Sequence, residues 1–224
     1  MSNQDQRSDD LWAAKLCVDS VVFDLDGTLW DTCEACATAW NRVLLRHGIA
    51  FRAITASDVR SVAGMPHDAC IRHVFNTLAE RELTTLIEDT QIEDNLAVAE
   101  LGGVLYPGVL DGLAQLHARF PLFIVSNCQA GYIETFFANS GSAQLFCDFE
   151  CWGNTGLSKP GNLKRVITRN QLAAPVFVGD TPGDRHAAEA CGVPFVHVTY
   201  GFGACPDWRV RASSFAQLVQ QLLV

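Results

Sequence analysis

The sequence predicts an α/β fold: a doubly wound parallel sheet with a small helical domain inserted into it. Three observations predict it. Five short apolar runs have the length and composition of buried strands. Amphipathic helical patterns alternate with them, as they do when a parallel sheet is covered on both faces. A stretch of about 70 residues behind the first run shows helical periodicity only. With 224 residues, 49% of them apolar and 18% charged, the chain can bury a sizeable core and carry a smaller second body.

The five runs are 18–25 (VDSVVFDL), 120–127 (FPLFIVSN), 145–150 (LFCDFE), 175–180 (PVFVGD) and 194–200 (PFVHVTY). Helices are expected over 108–118 behind Pro107, then 131–140, 160–171, 183–191 and 213–223, the last opening at a serine pair. In the insert, Asp31-x-x-Glu34 has the spacing of a capping box for a helix with apolar Cys36, Trp40, Val43 and Leu44 that stops at Gly48. A short helix fits 57–63, ending at Gly64. A third opens at Pro66 and runs through Ile71, Val74, Phe75 and Leu78, and a fourth covers 84–100 before Gly102-Gly103. No strand is expected in the insert. The division is a tail at 1–15, a catalytic core at 16–32 and 105–224, and a helical cap at 33–104. The crossings at Leu29–Thr32 and Gly102–Pro107 are short, which suits a hinged lid; a rigidly packed subdomain is the alternative.

A net charge of −9 argues against a nucleic-acid partner, because phosphate backbones select basic surfaces. No apolar run approaches the ~18 residues of a membrane span. The opening MSNQDQRSDD lacks an apolar segment, so a disordered tail and a cytoplasmic location are expected. The nine cysteines are scattered and odd in number, which fits reduced thiols rather than a disulfide framework. Cys33 and Cys36 form a C-x-x-C pair, but no second pair or histidine motif completes a zinc site, and the spacing fits one helix face. The six histidines are dispersed.

Ligands bind at the carboxyl ends of strands in such sheets. Asp24, Ser126 and Asp180 stand at three of these ends. In VVFDLDGTLWD, alternation would turn Asp24 and Asp26 to one side if the strand continues. Two carboxylates that close repel unless a cation lies between them, and Mg²⁺, which takes hard oxygen ligands, resolves this. For the pair alone an Asx-turn at a strand end is the competing reading, since Asp and Gly form turns readily. Ser126 and the backbone behind it offer a hydroxyl and N–H groups. GDTPGD puts Asp180 and Asp184 around a helix-opening turn. The chain has only three lysines, and Lys159, before Pro160, also stands where a helix opens.

The run DLDGTLWD, then Ser126-Asn127, then Lys159-Pro160, then Gly179-Asp180 with Asp184, resembles in order the four motifs of the haloacid dehalogenase-like superfamily. The helical insert resembles the C1 cap of its phosphoglycolate phosphatase and β-phosphoglucomutase branch, as does the return at Tyr106-Pro107-Gly108-Val109. The resemblance implies an Mg²⁺-dependent phosphatase acting on a small phosphorylated metabolite, as a monomer or homodimer. It implies Asp24 as nucleophile and Asp26 as general acid and base, with Thr28 placing that side chain. Ser126, the Asn127 amide and Lys159 would hold phosphoryl oxygens, with Thr28 also in the phosphate-binding set. Asp24, the Asp26 carbonyl and Asp180 would hold the metal, and Asp184 would orient Lys159 or a metal-bound water.

Three departures qualify it. A Gly161-Asn162 turn replaces the usual x-Pro behind Lys159-Pro160, leaving the reach of Lys159 open. Asp26 disfavours dehalogenation, and the absence of lysine between 16 and 158 disfavours phosphonate cleavage. The loop VAGMPH, 62–67, resembles the branch's specificity loop; His67 is the candidate for facing the site and Arg60 and Arg72 those for contacting an anionic leaving group, each otherwise a surface residue. Competing functions are a phosphomutase on the same scaffold and, from another class, a regulatory phospho-acceptor. Thr28 and the absence of a histidine before His47 weigh against the first, and the cap and Asp26 against the second.

Overall fold

The computed structural model describes residues 18–208 and 210–223; the expected tail and the first two residues of the expected core lie outside them. The core opens with β1 (Ser20–Phe23), shorter than the apolar run that predicts it. A two-residue strand, β2 (Trp30–Asp31), leads into the insert: α1 (Cys33–His47), α2 (Ala56–Arg60), α3 (His67–Val74) and α4 (Glu80–Leu101). The chain returns through β3 (Val104–Leu105) and continues with α5 (Val109–His117), β4 (Leu122–Ser126), α6 (Tyr132–Ser140) and β5 (Phe146–Cys151). Then come a one-turn helix, α7 (Trp152–Thr155), α8 (Lys159–Arg169), β6 (Pro175–Gly179), α9 (Pro182–Cys191), β7 (Phe195–Val198), β8 (Arg211–Ala212) and α10 (Phe215–Leu223).

Six strands form one parallel sheet in the order β5-β4-β1-β6-β7-β8. Both neighbours of β1 hold it in register, Val21 opposite Leu122 and Val176. Its side chains alternate between two apolar layers. Val21 and Phe23 enter a layer with Leu113, Phe136 and Phe215 from α5, α6 and α10, whereas Val22 enters one with Leu163, Val166 and Ala187 from α8 and α9. Burial on both faces is why these strands read as continuous apolar runs. Each such side chain contributes about 1.5–3 kcal/mol of transfer free energy.

The apolar residues of the cap join Val21 and Phe23 of β1 in one continuous cluster. Trp40 of α1 and Phe75, just past α3, pack at 5.9 Å between ring centroids, and Phe51 closes on Phe75 at 4.9 Å. On the outside, Arg42 and Arg46 of α1 and His47 bond Glu93, Glu100 and Asp89 of α4.

The structure corrects several local expectations. Asp31 and Glu34 do not form a capping box: Thr32 is the N-cap residue, and Asp31 Oδ1 accepts from the Cys33 N–H at 2.9 Å. The last cap helix begins at Glu80 rather than 84, because Glu82 reaches back to the Ala79 N–H. The α2 helix stops at Arg60, leaving residues 61–66 as a loop. The two crossings are not free strands of linker. Trp30 pairs with Leu105 and Asp31 with Val104 in an antiparallel ribbon. Pairs of two residues are too short to show a sequence period, and β8 was missed for the same reason.

Candidate active site

The carboxyl ends of β1 and β4 and the start of α8 meet under the cap and line a cavity of about 90 Å³. Asp24, Asp26, Ser126, Asn127 and Lys159 line it from the core; Val62, Gly64, His67 and Asp94 line it from the cap.

Asp24 follows β1 directly, its N–H donating to the Val178 carbonyl at 2.8 Å, and it is buried. The strand has already ended at Phe23, so strict alternation does not turn Asp26 inward. Leu25 begins a tight turn, its carbonyl accepting from Leu29 N–H at 2.8 Å, and Asp26 pairs with Trp30 in an isolated bridge. Gly27 makes that turn possible at φ +87°, and a Cβ there would collide with the Asp180 carboxylate.

Lys159 is the first residue of α8, and Gly161-Asn162 forms that helix's first turn instead of a separate tight turn. The side chain therefore reaches straight into the site. Its Nζ donates to Asp24 Oδ1 at 2.7 Å and Asp184 Oδ1 at 2.6 Å, all three groups being buried. Asp184 Oδ2 meanwhile caps α9, accepting from the Thr181 N–H at 2.9 Å and the Thr181 hydroxyl at 2.7 Å. Asp180 Oδ2 accepts from the backbone N–H groups of Phe202 at 2.6 Å and Gly203 at 3.2 Å. The Thr28 hydroxyl lies 3.5 Å from Asp180 Oδ1.

Asp24, Asp180 and Asp184 each present a carboxylate oxygen within 4.8 Å of the others. Three carboxylates around one ammonium leave a buried excess of negative charge. Burial and then the Asp184 charge accordingly push Asp24 well above the ordinary carboxylate range and Asp180 up to about 7. Burial alone would lower Lys159, but Asp184 and Asp24 outweigh it and hold the ammonium charged. A hard divalent cation fits this donor set, because it supplies the charge that the carboxylates lack.

Asp26 is held differently. Burial raises its carboxyl to about 6, against the Tyr132 and Thr32 hydroxyls, which donate to Oδ1 at 3.0 and 3.2 Å. Those hydroxyls are 2.6 Å apart. Sequence reading missed both: Thr32 lay just beyond the motif, and Tyr132 is brought in from 106 positions away. The Asp94 carboxyl, 3% exposed on the inward side of α4, was missed as well, because it reads as one more polar residue on a long helix.

Of the remaining candidates, Ser126, Asn127 and His67 line the cavity, and Arg60 and Arg72 do not. Ser126 is buried at the end of β4, its Oγ accepting from the Cys128 N–H at 3.3 Å. Asn127 Nδ2 donates to the Gly64 carbonyl at 2.8 Å and so ties core to cap. His67 is buried, with Nε2 2.8 Å from Thr90 Oγ1. Arg60 donates to Asp31 Oδ2 at 2.7 Å and lies over Phe202 at the cavity rim. Arg72 points away, paired with Glu80 at 2.7 Å, and does not line the cavity. Cys33 and Cys36 line it as buried thiols whose ionisation burial opposes.

A parallel sheet, a helical insertion after its first strand and acids gathered at three strand ends define a hydrolase class, and the chain belongs to it: residues 21–198 match the haloacid dehalogenase-like hydrolase family. Within that family it groups with the C1-capped phosphatases. It is 31% identical over 215 residues to a phosphoglycolate phosphatase of Synechococcus elongatus, covering 91% of this chain and 98% of the relative. It is 27% identical to a phosphoglycolate phosphatase of Yersinia pseudotuberculosis, covering 81% of each. Among solved structures, a predicted phosphatase from Clostridium acetobutylicum superposes with a TM-score of 0.79 at 19% identity, covering 92% of this chain and 98% of that one. At that identity the likeness speaks for the fold alone. No helix among the described residues is long and apolar enough to cross a membrane.

Proposed function

We propose that the protein is an Mg²⁺-dependent phosphatase that hydrolyses a small phosphate monoester through an aspartyl-phosphate on Asp24. The observation that carries this reading is the Lys159 ammonium bridging Asp24 and Asp184 beside Asp180 in a buried cluster. That cluster is short of positive charge without a cation, and with one it suits a dianionic phosphoryl group.

An Asp24 carboxylate oxygen attacks phosphorus, and the bond from phosphorus to the leaving oxygen breaks. Asp26 gives its proton to that oxygen, then takes one from the water that attacks the aspartyl-phosphate and returns Asp24 as carboxylate. The pKa of about 6 suits both halves of that cycle near neutral pH. Tyr132 and Thr32 hold Asp26 for the transfer. Lys159, the Ser126 hydroxyl and the Asn127 amide stabilise the phosphoryl oxygens. Asp24, the Asp26 carbonyl and Asp180 are the residues that would hold Mg²⁺, with Asp184 orienting Lys159. The ion neutralises charge on the transferring group. The cap excludes bulk water and limits substrates to small ones. Asp26 in the cavity favours hydrolysis over a persistent phospho-acceptor, because its role is to destroy the intermediate. The sequence relatives act on phosphoglycolate, which makes that ester the first of the class to test.

The test is phosphate release from an aryl phosphate. Release should need Mg²⁺, stop with EDTA, and fall by about 10⁴-fold or more in Asp24→Asn. Release that persists in the variant, or in EDTA, would refute the mechanism. A stable phosphoryl adduct on the wild-type protein without release would instead indicate a mutase or an acceptor.

A further inference from the structure

β4 and β5 run in parallel register, with Ser126 opposite Cys151, the last residue of β5. Two positions past Ser126 stands Cys128, which lines the cavity. Beyond Cys151 the chain turns directly into α7 and lies against the loop that holds Cys128. The Gly153 N–H donates to the Cys128 carbonyl at 3.0 Å, and a Cβ on Gly153 would strike the Gln129 and Ala130 backbone. Cys151 Sγ lies 3.7 Å from the Gln129 carbonyl oxygen. The two thiols thus meet across adjacent strands, hydrogen-bonded to each other. Neighbouring strands are about 4.8 Å apart, inside the range of Cα separations that a disulfide spans. Both side chains are buried, and Cys128 is the one reached from the cavity.

The pair differs from the other thiols of the cavity. Burial pushes Cys33, Cys36 and Cys70 up, which leaves them poor nucleophiles. Cys151 is held below the ordinary thiol range, first by the hydrogen bond with Cys128 and then by the Asn154 and Gly153 N–H groups, which together outweigh burial. Burial, and after it the same hydrogen bond, push Cys128 up. One proton lost from the pair therefore leaves a thiolate and a thiol joined by the remaining hydrogen, the state from which thiols are oxidised.

We propose that Cys128 and Cys151 form a reversible oxidation site: a peroxide joins them as a disulfide, and the bond disables the loop that holds the phosphoryl oxygens. The thiolate sulfur attacks one oxygen of hydrogen peroxide, the O–O bond breaks, and hydroxide leaves as water with the proton that the pair released. The second sulfur attacks the sulfenic acid, the S–S bond forms, the S–O bond breaks, and the oxygen leaves as a second water with the thiol hydrogen. Two electrons pass from the sulfurs to the peroxide. The sulfurs then lie about 2.0 Å apart, well inside hydrogen-bonding range. Cys151 is held in the ladder with Ser126, so the loop yields. The Cys128 N–H is drawn from Ser126 Oγ, which it meets at 3.3 Å, and the Asn127 amide moves with it. The loss of turnover rests on the phosphatase reading; the bond itself does not.

The test treats the fully reduced protein with hydrogen peroxide, blocks the remaining thiols with iodoacetamide and digests the chain at lysine, arginine and glutamate. Glu134 and Glu150 place Cys128, Cys147 and Cys151 in separate peptides. The Cys128 and Cys151 peptides should appear joined, two hydrogens lighter than their sum, and should part in dithiothreitol. Turnover of phenyl phosphate with Mg²⁺ should fall at least ~10-fold as they join and return with dithiothreitol, since a misplacement of about 1 Å at a site costs up to about 10²-fold. Cys151→Ser should start from wild-type turnover and keep it in peroxide. No joined peptide, joining with full turnover, or a wild-type loss that Cys151→Ser shares overturns the proposal. If that variant does not fold, the joined peptide and the recovery of the wild type in dithiothreitol decide. If the reduced protein hydrolyses no ester, the phosphatase reading fails, and the joined peptide alone still establishes or removes the oxidation site.

Discussion

The two walls of the cavity are built on opposite principles. On the core side, each charged group has specific partners: Lys159 serves two carboxylates, Asp180 takes two backbone N–H groups, and Asp184 caps its own helix. On the cap side, charges with partners face outward, as in Arg72 with Glu80 and Arg46 with Glu93, while the inward groups, Asp94 and His67, are only partly satisfied. A wall that must present the same electrostatics to every phosphoryl group benefits from rigid preorganisation.

The sharpest way to break this contrast is to remove the hub of the core wall. Lys159→Met leaves Asp24 and Asp184 buried without their shared cation. It should cost about 3–5 kcal/mol of stability and abolish turnover, with Mg²⁺ restoring part of the stability but none of the activity. Denaturant melts with and without Mg²⁺ check this. An unchanged midpoint would mean that the cluster is not the tightly coupled unit described.

Tyr132→Phe removes one donor to Asp26 and keeps the ring that packs edge-on against Trp30. A hydrogen bond to a charged group contributes about 1.5–3 kcal/mol, so kcat should fall roughly tenfold or more with little change in KM. A KM effect alone would move Tyr132 from positioning the acid to shaping the pocket.

The third prediction lies in the cap and is read only as a difference. His67 has its folded pKa depressed from 6.5 to about 4 by burial. The unfolded chain therefore takes up the proton first, and stability contributed by neutral His67 is lost as pH falls from about 6.5 towards 4. Asp26 and Asp94, both raised by burial, act in the opposite sense, so the informative quantity is a difference. Wild type minus His67→Gln should lose up to roughly 3 kcal/mol across that window. A difference that stays flat with pH would show that the folded ring takes up a proton as readily as the unfolded one.

The fold was legible because burial on both faces leaves an uninterrupted apolar signature, and each such run ends within two residues of the point where the chain leaves the sheet. That is why Asp24, Ser126 and Asp180 could be placed from sequence. Lys159 stood out by its scarcity and its helix-opening position. Tyr132, Asp94 and the Phe202–Gly203 amides could not be read the same way. Each acts through a contact across the fold, with no local pattern to mark it. Arg60 and Arg72 illustrate the converse: a cation near a specificity loop is a natural candidate until its partner is seen, and both already have one.

The ribbon of Trp30–Asp31 with Val104–Leu105 has a consequence for inheritance. Entry and exit of the insert are tied side by side, so everything between Thr32 and Gly103 hangs from one point on the sheet. Helices there can lengthen, shorten or be exchanged without altering the order of the six core strands or the positions of their acids. A single stitch of backbone pairing thus lets one set of reaction groups be passed on intact while the surface above it diverges.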